Sequence, residues 1–148
     1  MDHELGNPEW IGSARSFVTS LSAAPSDDAL RLLAPDVTYR VLGHHSLSGT
    51  FSGRAEVAKH LEALIKQTGG RLDPVKFDDW MLGLSHVSVL VDIHAEVGGA
   101  ALRLRLLILM RFNAEDLIED ITVYFSDPEA AERLYGHLLR DGSGWHES

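Results

Sequence analysis

The chain has 148 residues, 45% of them hydrophobic, which suits one compact domain with a substantial core. A formal net charge of −9 argues against nucleic acid as a partner, because phosphate binding needs clustered Lys and Arg. The absence of cysteine excludes disulfides, thiolate metal sites and a cysteine nucleophile.

No apolar run reaches the length of a membrane span, and the first ten residues lack the basic-then-apolar order of a signal peptide. The expectation is a cytoplasmic protein without membrane contact. A single domain is expected over residues 9–139, with residues 1–8 and 140–148 as flexible termini.

In residues 9–21, Trp10, Ala14, Phe17, Val18 and Leu21 recur at helical spacing and predict an amphipathic helix. Ser26, followed by Asp27 and Asp28, resembles a helix cap with acids in the first turn. The short helix it opens is expected to run to Pro35. Residues 36–42 alternate as a strand, with Val37, Tyr39 and Val41 on one side. The turn-rich residues 43–53 read as a loop with a short extended piece around Thr50.

Residues 54–67 are the strongest helix, striped by Val57, Leu61, Leu64 and Ile65 and ended by Gly69-Gly70. Residues 71–82 are strand-like, with Pro74 confining their start to an edge or bulge. Ser126, Asp127, Pro128 and Glu129 form a helix start ahead of Ala131, Leu134, Tyr135, Leu138 and Leu139.

Residues 87–125 organise the rest. They read as three antiparallel strands joined by Gly98-Gly99 and by a four-residue loop at 113–116. The glycine turn sets Ile93 opposite Leu104, Val91 opposite Leu106, Val89 opposite Ile108 and Val87 opposite Met110. The four-residue loop then sets Ile108 opposite Ile121, Leu106 opposite Val123 and Leu104 opposite Phe125. All of these share one apolar face. On the other face, Asp92 pairs with Arg105, His94 with Arg103, Leu109 with Asp120 and Leu107 with Thr122.

Helices ahead of such strands indicate an α+β fold. A curved antiparallel sheet forms a cone-shaped cup, closed by the N-terminal helices as in a cystatin-like α+β barrel. The mouth of a cup with an apolar inner face is a natural ligand site.

The segment LLAPDVTYRVLGHHSLSGTFSGRAEVAKHLEAL, with LILMRFNAEDLIEDITVYFSD later, resembles the SnoaL-like proteins. These belong to the nuclear-transport-factor-two-like, or ketosteroid-isomerase-like, superfamily. The resemblance covers roughly residues 17–134. It implies a cofactor-independent polyketide cyclase, isomerase or hydrolase, or a non-catalytic binding module. Ketosteroid isomerases use an aspartate on the first strand, a tyrosine on the first helix and a protonated acid on the penultimate strand. By eye those places fall on Val41, Phe17 and Ile108, all apolar and unable to move a proton or stabilise an oxyanion.

Asp79 is the leading candidate for proton transfer. If Val75 and Phe77 point into the cup, so does Asp79, and an apolar setting would raise its pKa toward that of a general base or acid. The competing reading is a solvated strand end. His44 and His45, in the loop near the mouth, are candidates for a proton shuttle or a ligand contact, against the plainer reading of exposed loop histidines. No spacing of histidines and acids completes a metal site, and no cofactor motif occurs.

The expected pocket lining is Phe17, Tyr39, Val41, Trp80, Leu106, Ile108, Met110, Ile121, Val123 and Phe125, taking a small hydrophobic molecule. The outward face carries Leu90, Asp92, Arg105, Leu107, Leu109, Ile118 and Tyr124. Apolar side chains among charges there predict a homodimer through this face. Two functions stand open: an enzyme acting on an apolar ligand by acid–base chemistry, and a ligand-binding or dimerisation module that has lost it.

Overall fold

The protein is described by a computed structural model covering residues 6–22, 26–43, 48–67, 72–97, 100–127 and 129. Helix α1 spans Glu9–Thr19, followed by a tight 3-10 turn at Ser20–Ser22. There the Ser20 hydroxyl donates to the Phe17 carbonyl at 2.6 Å. Helix α2 is the single turn Asp27–Leu30, capped as expected by Ser26, whose Oγ accepts the Ala29 N–H at 3.1 Å.

The chain then enters β1, Leu33–Val41. The expected continuation of α2 to Pro35 therefore fails, because Leu33 pairs with Ile118 on a distant strand and both are fully buried. Burial in a sheet outweighs local helix propensity here. Pro35 falls in the stretch between Leu33 and Thr38 where the strand register shifts, which suits a residue without an N–H.

Strand β2, Gly49–Ser52, leads through Gly53 at φ 88° into helix α3, Arg54–Gln67. A side chain at Gly53 would be strained, and its N–H donates to the Val37 carbonyl at 2.7 Å. The Arg54 guanidinium bonds the Leu33 carbonyl twice, at 2.9 and 2.6 Å, tying the helix start to β1. Strands β3 (Leu72–Leu82), β4 (His86–Val97), β5 (Ala100–Phe112) and β6 (Ile118–Phe125) follow. The closing helix expected after Ser126 lies outside the described residues apart from Glu129, as do Gly69-Gly70 and Gly98-Gly99.

All six strands form one sheet in the order β2-β1-β6-β5-β4-β3. The pairing of β1 with β6 is parallel, so the sheet is mixed rather than wholly antiparallel. Between β4 and β5 the register is the expected one from Val97↔Ala100 to His86↔Arg111. Between β5 and β6 it differs by two residues. Ile108 faces Val123, Leu106 faces Phe125 and Met110 faces Ile121.

The loop causes this shift. It holds five residues, with Asn113 Oδ1 accepting the N–H groups of Glu115 and Leu117 and Asp116 at φ 65°. An irregularity between Arg111 and Phe112 adds the second step. A two-residue slip preserves the face, so every inner residue stays inner. Ile118 is the exception: beyond that irregularity it is fully buried and not on the outer face.

Helices α1 and α3 supply Ala14, Phe17, Val18, Val57, Leu61 and Leu64 to one core with the inner faces of β1, β4, β5 and β6. The opposite sheet face carries exposed ion pairs, among them Arg40–Asp120 at 2.7 Å, Arg111–Glu119 at 2.7 Å and Arg105–Asp92 at 3.3 Å. Such solvated pairs are each worth about 0–1 kcal/mol, so burial by the inner face carries the stability. Trp10 closes one end of the cup. It stacks on Phe112 at 4.8 Å and donates its indole N–H to Asp116 Oδ1 at 2.8 Å.

Candidate functional site

The deepest described side chains of the cup pack against one another. Phe17, Met110 and Ile121 are sealed in the core, so three residues expected to line a pocket serve instead as its floor packing. Open space remains toward β1 and α3. A cavity of about 40 Å³ is lined there by Leu21, Tyr39, Val41, His60, Leu64, Ile93, Leu104, Leu106, Ile108, Val123 and Phe125. Tyr39, Val41, Leu106, Ile108, Val123 and Phe125 of the expected lining meet at this space. Trp80 does not. It packs against Phe77 on β3 with ring centroids 5.3 Å apart, and its buried indole N–H has no hydrogen-bond partner.

Among the described residues, two side chains with polar atoms border the cavity, Tyr39 and His60. Both belong to an aromatic cluster at the junction of β1, β2 and α3. The His60 imidazole stacks on Phe51 with centroids 4.1 Å apart and planes inclined by 22°. It also lies 5.5 Å from the Tyr39 ring, which in turn is 6.5 Å from Phe51. Tyr39 is 4% exposed, and burial pushes its phenol well above the ordinary phenol range, leaving a neutral O–H over the whole physiological span.

His60 is missing from the sequence-based candidates although its signal was there. It stands three residues after Val57 and four before Leu64, on the buried stripe of α3. A histidine in that stripe must face the core.

Asp79 is exposed, contrary to the expectation that it would share the inner face. A bulge between Phe77 and Asp79 breaks the alternation on which that expectation rested, so Phe77 and Trp80 pack inward and Asp79 faces solvent. His44 and His45 lie outside the described residues. Val41, Phe17 and Ile108, at the places of the isomerase acids and tyrosine, are 5%, 1% and 1% exposed. They form dry wall and offer no group that titrates. Among the described residues no cluster of three or more His, Asp or Glu could hold a metal ion. No helix among them is long and apolar enough to cross a membrane.

No protein-family model matches the chain, nor does the sequence of any curated protein. Solved structures do match in shape. A protein of unknown function with a cystatin-like fold from Xanthomonas campestris superposes with a TM-score of 0.75 at 22% identity, covering 85% of this chain and 97% of that one. A nuclear-transport-factor-two-like protein from Burkholderia xenovorans gives 0.70 at 17% identity, covering 86% and 95%. A Mycobacterium tuberculosis protein, solved in complex with estradiol-17β-hemisuccinate, gives 0.67 at 18% identity, covering 80% and 94%.

The chain has the α+β fold shared by nuclear-transport-factor-two-like and ketosteroid-isomerase-like proteins, with a curved sheet around an apolar cup.

Proposed function

We propose that the protein binds a small apolar molecule in the cavity between β1, α3 and β4–β6, as a SnoaL-like member of its superfamily that acts as a binding module. One observation carries this reading: a partly enclosed space bordered by apolar side chains, with polar groups, among the described residues, at Tyr39 and His60. An apolar pocket with a few convergent polar groups is the usual form of a ligand site. A Mycobacterium tuberculosis protein of similar fold was solved in complex with estradiol-17β-hemisuccinate, which supports a small-molecule partner here. The apolar residues at the isomerase positions and the solvent-facing Asp79 favour binding over acid–base turnover.

A melting-temperature screen tests the proposal, since a ligand bound to the folded state raises Tm by mass action. Small apolar probes of a few heavy atoms, isobutene among them, are expected to raise it in a saturable way. Indifference to all of them would defeat the reading.

The outer sheet face supports a homodimer as part of the same proposal. Leu90, Leu107 and Leu109 are half-buried there, Tyr124 is 39% exposed, and Asp92 pairs with Arg105 beside them. Light scattering at micromolar concentration is expected to give twice the chain mass, and Leu107→Lys to halve it by placing a charge in the apolar centre. A wild-type monomer at that concentration would contradict it.

A further inference from the structure

Resting on the binding reading, we infer that the Tyr39 phenol is the fixed hydrogen-bond donor of the cavity and selects a small carbonyl compound, an acceptor oxygen on an apolar body of a few heavy atoms.

Three observations meet at this residue. Tyr39 borders the cavity and is 4% exposed, yet its hydroxyl makes no hydrogen bond to another described residue. A ligand that brings an acceptor oxygen can therefore bond this hydroxyl without displacing a partner within the protein. The phenol is also held in place. Its ring lies against His60 at 5.5 Å, and His60 is itself stacked on Phe51, so the donor is oriented before any ligand arrives. Burial keeps it protonated, so it donates at any physiological pH.

Size sets the other limit. The cavity is about 40 Å³, whereas an apolar protein cavity that admits benzene measures about 150 Å³. The enclosed part does not hold a polycyclic body; a branched group the size of acetone is nearer its scale. No Lys, Arg, Asp or Glu among the described residues borders the space, so an ionic ligand would find no charged partner there. This donor also stands on β1. The isomerases resembled here keep theirs on the first helix, where this chain has Phe17.

Acetone and isobutene have the same shape and differ only in oxygen against methylene, so together they isolate the hydrogen bond. Both are titrated into wild type and Tyr39→Phe, with binding read from the methyl resonances of Ile108 and Val123. Acetone is expected to bind the variant about tenfold more weakly, with isobutene changed by less than about twofold. Retained isobutene binding shows that the variant cavity is intact. Acetone affinity that is unchanged, or that falls equally with isobutene, overturns the donor role while leaving the pocket standing. If neither probe binds wild type, the binding reading itself fails and takes this inference with it.

Discussion

Ile108→Asp is expected to bring the protein close to unfolding at pH 7 while Ile108→Asn stays folded. Ile108 is 1% exposed, on the strand where ketosteroid isomerases place their protonated acid. Its neighbours across the sheet are Val89 and Val123, both buried, and no Lys or Arg among the described residues borders the space beside it. Losing the isoleucine costs about 2–3 kcal/mol of burial. Ionising a carboxyl there adds roughly 4 kcal/mol if burial raises its pKa by about three units. The sum rivals the whole stability of a small domain, about 5–15 kcal/mol.

The pH dependence has a definite sign. The introduced carboxyl has a folded-state pKa raised above its unfolded value of about 3.9. The folded form then binds more protons than the unfolded form between those two values, so stability is fully present below about pH 4 and falls as pH rises. Urea unfolding of the aspartate and asparagine variants from pH 4 to 8 isolates this, because the asparagine has no such slope. An aspartate variant as stable as the asparagine one at pH 7 would mean that the wall is wet.

Tyr39 supplies the second large effect, in the wild-type protein at alkaline pH. Its phenol is raised by burial, whereas in the unfolded chain it ionises near pH 10. Below that value both states hold the proton and the residue adds no slope. Above it the unfolded state releases a proton that the folded state keeps. Stability should therefore fall by about 1.4 kcal/mol per pH unit from this residue alone. Tyr39→Phe should lose less stability than wild type between pH 10 and 12, with other titrating groups cancelling in the difference. Parallel curves would show that the phenol is solvated.

Much of this architecture is legible in the residue pattern. Alternation over residues 87–112 is strict enough that a one-residue slip would bury Asp92 and Arg105, so the β4–β5 pairing could be written down residue by residue. The β5–β6 pairing could not. Its face follows from alternation, but its step depends on a five-residue loop shaped by Asn113 and on the irregularity after Arg111. Neither leaves a hydrophobic signature.

The side of Asp79 is hidden for the same reason, since one bulge reverses every inference from alternation beyond it. Leu33 failed differently. Its partner Ile118 is remote in sequence, and no local propensity carries that information. His60 is legible at helical spacing, on the buried stripe of α3 between Val57 and Leu64. How much of the cup stays open depends on the summed packing of Phe17, Met110 and Ile121, which no sequence periodicity encodes.

The central claim is that a small apolar space persists at the Tyr39 side of the cup, beside the packed Phe17, Met110 and Ile121. Xenon tests it most directly, because it enters dry cavities and makes no hydrogen bonds. Methyl spectra of wild type and Val123→Met should be recorded under xenon pressure, the methionine being long and flexible enough to occupy the space. The account predicts saturable shifts confined to Ile108, Leu106 and their neighbours in wild type, and none in the variant. A silent wild type, or two proteins responding alike, would contradict it.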